Sequence, residues 1–137
     1  MINKLDNTYR FQQQALSLLT RRQDVLASNI ANADTPGYLA RDIDFQQQLK
    51  TAMTQPSFSE KGVSLSLTSD KHIASKANSL DEHQLLYRTP DQPSADGNTV
   101  DMDRERVNFA DNTMMYQSGL TFLGGDIKKM MTVVSQG

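Results

Sequence analysis

Both ends of this 137-residue chain carry the same period. From the N-terminal side, Leu5, Tyr9, Gln12, Leu16, Leu19, Gln23, Leu26 and Ile30 advance in steps of four and three. Near the C-terminus, Phe109, Thr113, Tyr116, Leu120, Leu123, Ile127, Met130 and Val134 do the same. That spacing lays one stripe along a helix and is close to a heptad seam. The opposite face of the first stripe is polar, with Arg10, Gln13, Gln14, Arg21 and Asp24. Gln12 and Gln23 interrupt the seam, where polar residues cost stability and can set register. Asp101, Asp103 and Glu105 crowd the start of the second helix and Lys128 and Lys129 lie toward its end, which suits the helix dipole. Gly124-Gly125 beside the second stripe costs roughly 1 kcal/mol per glycine and marks either a bend or a close approach of another backbone.

Each helix should run for roughly 30 residues, or about 45 Å. Periodicity alone favours an ordinary antiparallel pair closing a small domain, since most amphipathic helices are core helices. The alternative is a terminal coiled coil whose outer faces pack against neighbouring subunits. Composition bears on that choice. The hydrophobic share is 37 %, or about 39 % when Gly is counted in place of Tyr, against a usual ~45–50 %. A lone copy has a thin core, and further burial against copies or partners would complete it.

The middle has a different texture. "ARDIDFQQQLKTAMTQ" suits a short helix with Ile43, Phe45, Leu49 and Met53 inward and Asp44 as N-cap. "GVSLSLTS" alternates as one half-buried strand. The stretch from His72 to Thr99 is polar, broken by Pro90, Pro93 and Gly97, and reads as extended chain with a turn at Asp96-Gly97. The expected fold is therefore mainly α: long N- and C-terminal helices forming a coiled-coil-like pair around a small irregular middle with one or two short strands. The expected division is 1–34 for the first helix, 35–100 for the turn, short helix, strand and extended loop, and 101–137 for the second helix.

Charge is nearly balanced, 14 basic against 16 acidic residues, so no field invites nucleic acid or an anionic membrane. There is no cysteine, hence no disulfide, thiolate metal site or cysteine nucleophile. The N-terminal sequence lacks the apolar core of a secretory signal, so export, if it occurs, is expected by another route. His72 and His83 have no second ligand at metal-site spacing. Aligning Gly97 with the glycine of a calcium loop places Gln92 at position 1 and Asp103 at position 12, which fails as an EF-hand. A turn at Asp96-Gly97 followed by a helix capped by Asp101 or Thr99 is the better account. Asp42 and Asp44 read as ordinary exposed acids. No catalytic, cofactor-binding or metal-binding residues are expected, and no small-molecule substrate.

The chemistry-bearing stretch is "SNIANADTPGY", at the end of the first helix. Thr35 precedes Pro36 and is pushed out of helical geometry, so the helix should end at about Ala33 or Asp34. Pro36-Gly37 suits the centre of a type II turn, after which Tyr38 can fold back. A simple helix stop explains the proline, the glycine and Asn32. It does not explain Asn29, a full turn early, where asparagine is a poor helix former. An amide there is worthwhile if it bonds to a facing helix or the returning chain.

"ANADTPGY" resembles the N-terminal motif of the bacterial flagellar axial proteins of the rod and hook. "RFQQQALSLLTRRQDVLASNIANADTPGYLARDIDF" and "LLYRTPDQPSADGNTVDMDRERVNFADN" bring the resemblance to the proximal rod members of that family and extend it over nearly the whole chain, weakest between Lys50 and Leu85. The resemblance implies a non-enzymatic subunit of the basal-body rod, passed through the flagellar type III export system into the periplasm without a cleaved signal. It implies self-assembly into a tube that transmits torque and continues the export channel. The implied neighbours are other copies, other rod proteins including FlgC, FliE, the export gate and the membrane ring. The assembly seam would be Leu5, Tyr9, Leu16, Leu19, Leu26, Ile30, Phe109, Tyr116, Leu120, Leu123, Ile127 and Met130. Asn29, Asn32, Thr35, Pro36, Gly37 and Tyr38 would form the helix-turn junction. The competing expectation is a soluble helical binding module or export chaperone that holds a client helix in the same stripes.

Overall fold

The structure is a computed structural model and describes residues 2–54, 85–92 and 94–137. The strand expected at 62–69 and both histidines lie outside the described residues. Helix α1 spans Ile2–Ala31 and contains neither proline nor glycine, so nothing interrupts its hydrogen-bond ladder. Strand β1 (Arg41–Ile43) leads into α2 (Phe45–Thr54), where Asp44 Oδ1 accepts from Gln47 N at 3.1 Å as the expected N-cap. Strand β2 (Leu85–Tyr87) pairs antiparallel with β1 in the register Arg41 with Tyr87, Asp42 with Leu86 and Ile43 with Leu85. Helix α3 spans Met102–Gln136 and is capped by Asp101, whose Oδ1 accepts from Asp103 N at 3.1 Å and Arg104 N at 3.3 Å. The fold is mainly helical, with two long terminal helices and a small sheet between them, as the sequence leads one to expect.

α1 and α3 run antiparallel, which their cross-links show in order. Gln12 Nε2 donates to Asp126 Oδ2 at 3.1 Å, Gln23 Nε2 to Thr113 Oγ1 at 2.8 Å, and Asn29 Nδ2 to Glu105 Oε2 at 3.2 Å. Buried Asn112 donates to Leu19 O at 2.8 Å and to Gln23 Oε1 at 2.5 Å. The glutamines that break the apolar seam thus help set its register, since a one-turn slip would break these part-buried cross-links.

The apolar core is small and lies at the junction end of the pair. Leu18, Leu19, Leu26, Ala40 and Ile43 are buried there, beneath β1 and α2, which both pack on α1. Burying each leucine contributes about 1.5–3 kcal/mol. Toward the other end of the pair the apolar side chains are less covered.

Gly119, not Gly124-Gly125, is the glycine of α3 that faces α1. A Cβ at Gly119 would sit 2.9 Å from Leu16 Cδ2. At Gly124 and Gly125 it would meet nothing within 4 Å, and α3 passes through both without interruption. Of the two readings of that pair, a bend or a close approach, the described chain does not provide the second. Gly119→Val should destabilise the protein by about 1–3 kcal/mol through overpacking against Leu16. Urea unfolding followed by circular dichroism measures this, and the helical content of the folded baseline should be unchanged.

Candidate functional site at the helix-to-turn junction

α1 gives up regular geometry at Ala31, two or three residues sooner than the proline alone requires. Its ladder tightens first, as Asn32 N, still 3.1 Å from Ser28 O, also bonds Asn29 O at 3.2 Å and Ala33 N bonds Ile30 O at 3.3 Å. Tyr38 N then bonds Thr35 O at 3.3 Å across Pro36-Gly37, with Gly37 at φ +72°, which is type II turn geometry. Asn32 closes the helix locally: its Nδ2 donates to Ser28 O at 2.8 Å and its Oδ1 accepts from Thr35 Oγ1 at 3.2 Å.

Asn29 does what a mere helix stop does not explain. It is fully buried, and every hydrogen-bonding site of its amide is used. Nδ2 donates to Arg41 O at 2.7 Å and to Glu105 Oε2 at 3.2 Å. Oδ1 accepts from Arg41 N and from Tyr38 Oη, each at 3.1 Å. One side chain therefore joins the returning strand, the motif tyrosine and the start of α3.

A second amide, at a position the sequence reading did not single out, holds the other side. Asn98 Nδ2 lies 3.0 Å from Asn32 O, 2.8 Å from Ala33 O and 2.9 Å from Thr35 O, so the segment leading into α3 holds the carbonyls of the turn that follows α1. Its own Oδ1 accepts from Val100 N at 2.8 Å. The expected turn at Asp96-Gly97 delivers it, with Gly97 at φ +77° and its missing Cβ only 3.6 Å from Gly37 Cα. Backbone bonds from Gly37 N to Asp96 O at 2.9 Å and from Thr99 N to Tyr38 O at 3.0 Å zip the two segments together.

Four charges link this junction to the sheet. Arg22 grips Asp42 in a bidentate pair, Nε to Oδ1 at 3.0 Å and a terminal nitrogen to Oδ2 at 3.1 Å. Arg88 bridges Asp42 and Glu105, and Glu105 receives Asn29. Asp42 is therefore no ordinary exposed acid. The phase of the second stripe already placed Glu105 inward, four residues before Phe109; the dipole argument hid that signal. Arg88 carries no comparable sequence signature, because only the β1–β2 pairing brings it to Asp42.

Burial pushes the Asp42 carboxyl up, but the hydrogen bonds from Arg22, Arg88 and Ile43 N outweigh it and hold the group below its ordinary value of 3.8. A carboxylate with a depressed folded-state pKa contributes stability that is fully present above the unfolded value and fades as pH falls below it. Stability should accordingly drop as pH passes below 3.8, and Asp42→Asn should be less stable at neutral pH yet flatter across that window. Urea midpoints between pH 6 and pH 3 test this. Asn29→Ala should cost about 3 kcal/mol, since it leaves buried polar groups unpaired. Isosteric Asn29→Asp should cost as much or more, because a carboxylate cannot donate to Arg41 O and would face Glu105; the same unfolding assay decides it.

The expected seam residues divide by depth. Leu19 and Leu26 are buried, and Tyr9, Leu16, Ile30, Phe109, Tyr116 and Leu123 are half-buried. Leu5, Leu120, Ile127 and Met130 remain between 38 and 45 % exposed. At the end of the pair far from the junction, Tyr9 of α1 and Ile127, Met130, Met131 and Val134 of α3 line an open apolar cleft. Among the described residues no acidic or histidine cluster could hold a metal ion, and no helix is long and apolar enough to cross a membrane.

Comparison with known proteins adds a consistent result. The family described as flagella basal body rod protein matches residues 10–38, which contain most of α1 and the junction motif. The flagellar basal body rod protein FlgB of Yersinia enterocolitica is 61 % identical over 137 residues, covering all of both chains. The protein of the same name from Salmonella typhimurium is 58 % identical and that from Escherichia coli 56 %, each across the whole of this chain and 99 % of the relative.

Proposed function

The chain belongs to the flagellar basal body rod proteins, and from that premise we propose that its paired terminal helices build the inner wall of a tube. It is a structural subunit of the flagellar basal body rod, and it assembles there with other flagellar components. The relatives do not favour the alternative of a soluble binding module or export chaperone.

The finer reading concerns what assembles on what. The open apolar cleft at the far end of the pair carries it. The helices are fastened at the junction and incompletely covered at the other end, as expected of a subunit that finishes its burial against neighbours. The seam residues Leu5, Leu120, Ile127 and Met130 then serve contacts between subunits, while Leu19 and Leu26 serve the subunit itself. Stretches 1–34 and 101–137 form the inner layer, and 35–100 the part beyond it. Other copies, rod proteins including FlgC, FliE, the export gate and the membrane ring are the proposed neighbours. The amide and charge network at the junction lets the helices and the middle segment turn as one body under torque. This reading assigns the protein no catalytic step and no cofactor, and places its route to the periplasm through the flagellar type III export system.

Ile127→Lys combined with Met130→Lys tests the reading. Both side chains are already part-exposed, so monomer stability should change by about 1 kcal/mol or less. Swimming in soft agar and recovery of the subunit with purified basal bodies should both be lost. Normal motility in that double variant would refute the cleft as an assembly surface.

A further inference from the structure

Methionine is the only sulfur-bearing residue type in this chain, and Met102, Met114, Met115, Met130 and Met131 all lie on α3. Met130 and Met131 are adjacent in the lining of the open apolar cleft, with Tyr9, Ile127 and Val134. Met130 is 38 % exposed and Met131 67 %. Both thioethers are thus within reach of small solutes. The polar groups of the lining are the hydroxyls of Tyr9 and Ser135, and it holds no charged side chain. Met114 and Met115 are exposed as well, but lie nearer the junction and outside that lining.

A thioether exposed in this way is open to two-electron oxidation. A sulfur lone pair attacks one oxygen of hydrogen peroxide, the O–O bond breaks, and after proton transfer the products are methionine sulfoxide and water. Sulfur gives up two electrons and the peroxide takes them, so no further reactant is needed. The side chain gains one oxygen atom and changes from apolar to polar, with a strong hydrogen-bond acceptor at its centre. In open solvent that change costs little. When another apolar surface closes the cleft, the new oxygen is buried with only two hydroxyls of this chain to bond it. A buried acceptor without a donor opposes the closure.

We propose that Met130 and Met131 form an oxidation-sensitive site: their conversion to sulfoxides by a peroxide, before the cleft is covered, leaves the subunit unable to complete its assembly contact. Once the cleft is covered the same side chains are shielded, so the sensitivity is confined to the unassembled subunit. The modification is reversible, because methionine sulfoxide reductases return the thioether. The step requires only that solvent reach the sulfur, so it holds whatever conformation α3 takes before assembly. Oxidation of the two side chains stands on their exposure and chemistry alone. The loss of assembly rests on the proposed function, in which this cleft meets neighbours.

Trypsin cleaves after Lys129 and releases the peptide Met130–Gly137, so mass spectrometry reads the site directly. After hydrogen peroxide treatment of the purified free subunit, this peptide should gain one or two oxygen atoms. In purified basal bodies it should do so roughly tenfold more slowly. Met130→Gln with Met131→Gln places a polar amide near where the sulfoxide would lie. That pair should abolish both swimming in soft agar and recovery of the subunit with basal bodies. Met130→Leu with Met131→Leu keeps the apolar volume, should swim like the wild type and cannot be oxidised there. All four substitutions sit at part-exposed positions, and both variants should accumulate to the wild-type level in whole cells. Equal oxidation of the peptide in free and assembled protein would overturn the proposal. So would normal swimming of the glutamine pair, or loss of swimming in the leucine pair as well. A motile variant carrying Ile127→Lys and Met130→Lys removes the assembly reading, and the proposal with it. Normal swimming of the glutamine pair beside a non-motile lysine pair removes the proposal alone.

Discussion

The buried amide of Asn29 is the interaction on which the rest of this structure depends. It meets a returning strand, a tyrosine ring and a second helix with its full complement of hydrogen bonds, and no other residue type of that size offers two donors and two acceptor sites in one plane. Burying such a group is unfavourable unless every site is paired, so the arrangement around it has little freedom. Asn98 works by the same physics from the opposite side, bonding the carbonyls of the turn that follows α1. The two amides are contributed from opposite sides of the junction, so α1 cannot reach its final ending until the segment leading into α3 has arrived.

This accounts for the uneven distribution of apolar burial. The core is concentrated where the amides and charges hold the helices, and it thins along the pair toward Leu5 and Val134. A chain of this composition has too little apolar surface to bury both ends alone. It fastens one end with specific polar bonds and leaves the other less covered, the end proposed to meet neighbours. The polar bonds contribute modestly to stability and strongly to geometry, because a misplaced partner strands a buried donor or carboxylate. For a subunit that must hold its angle within a turning rod, defined geometry is the more useful property.

The network of Arg22, Asp42, Arg88 and Glu105 extends that logic into the small sheet. Two cations and two anions alternate, so no net charge is buried. Two strands of three residues are too short to be stable alone, and the network supplies the connection to α1 and α3 that they lack. Asp42, whose carboxyl these hydrogen bonds hold below its ordinary value, makes this end of the molecule sensitive to acid.

The sequence by itself determined the long helices, their caps and the chain reversal between them. Those features are written in local spacing: steps of four and three, an aspartate before a helix, a proline and a glycine after one. It also marked Asn29 as needing a partner, because an amide in mid-helix has no local use. Only the tertiary structure decided who that partner is. Arg88 meets Asp42 through strand pairing, Asn98 reaches back across more than sixty residues, and Gly119 rather than Gly124-Gly125 admits the facing helix. Such contacts depend on the rotation and register of two helices packed together, and periodicity along one helix contains no information about either.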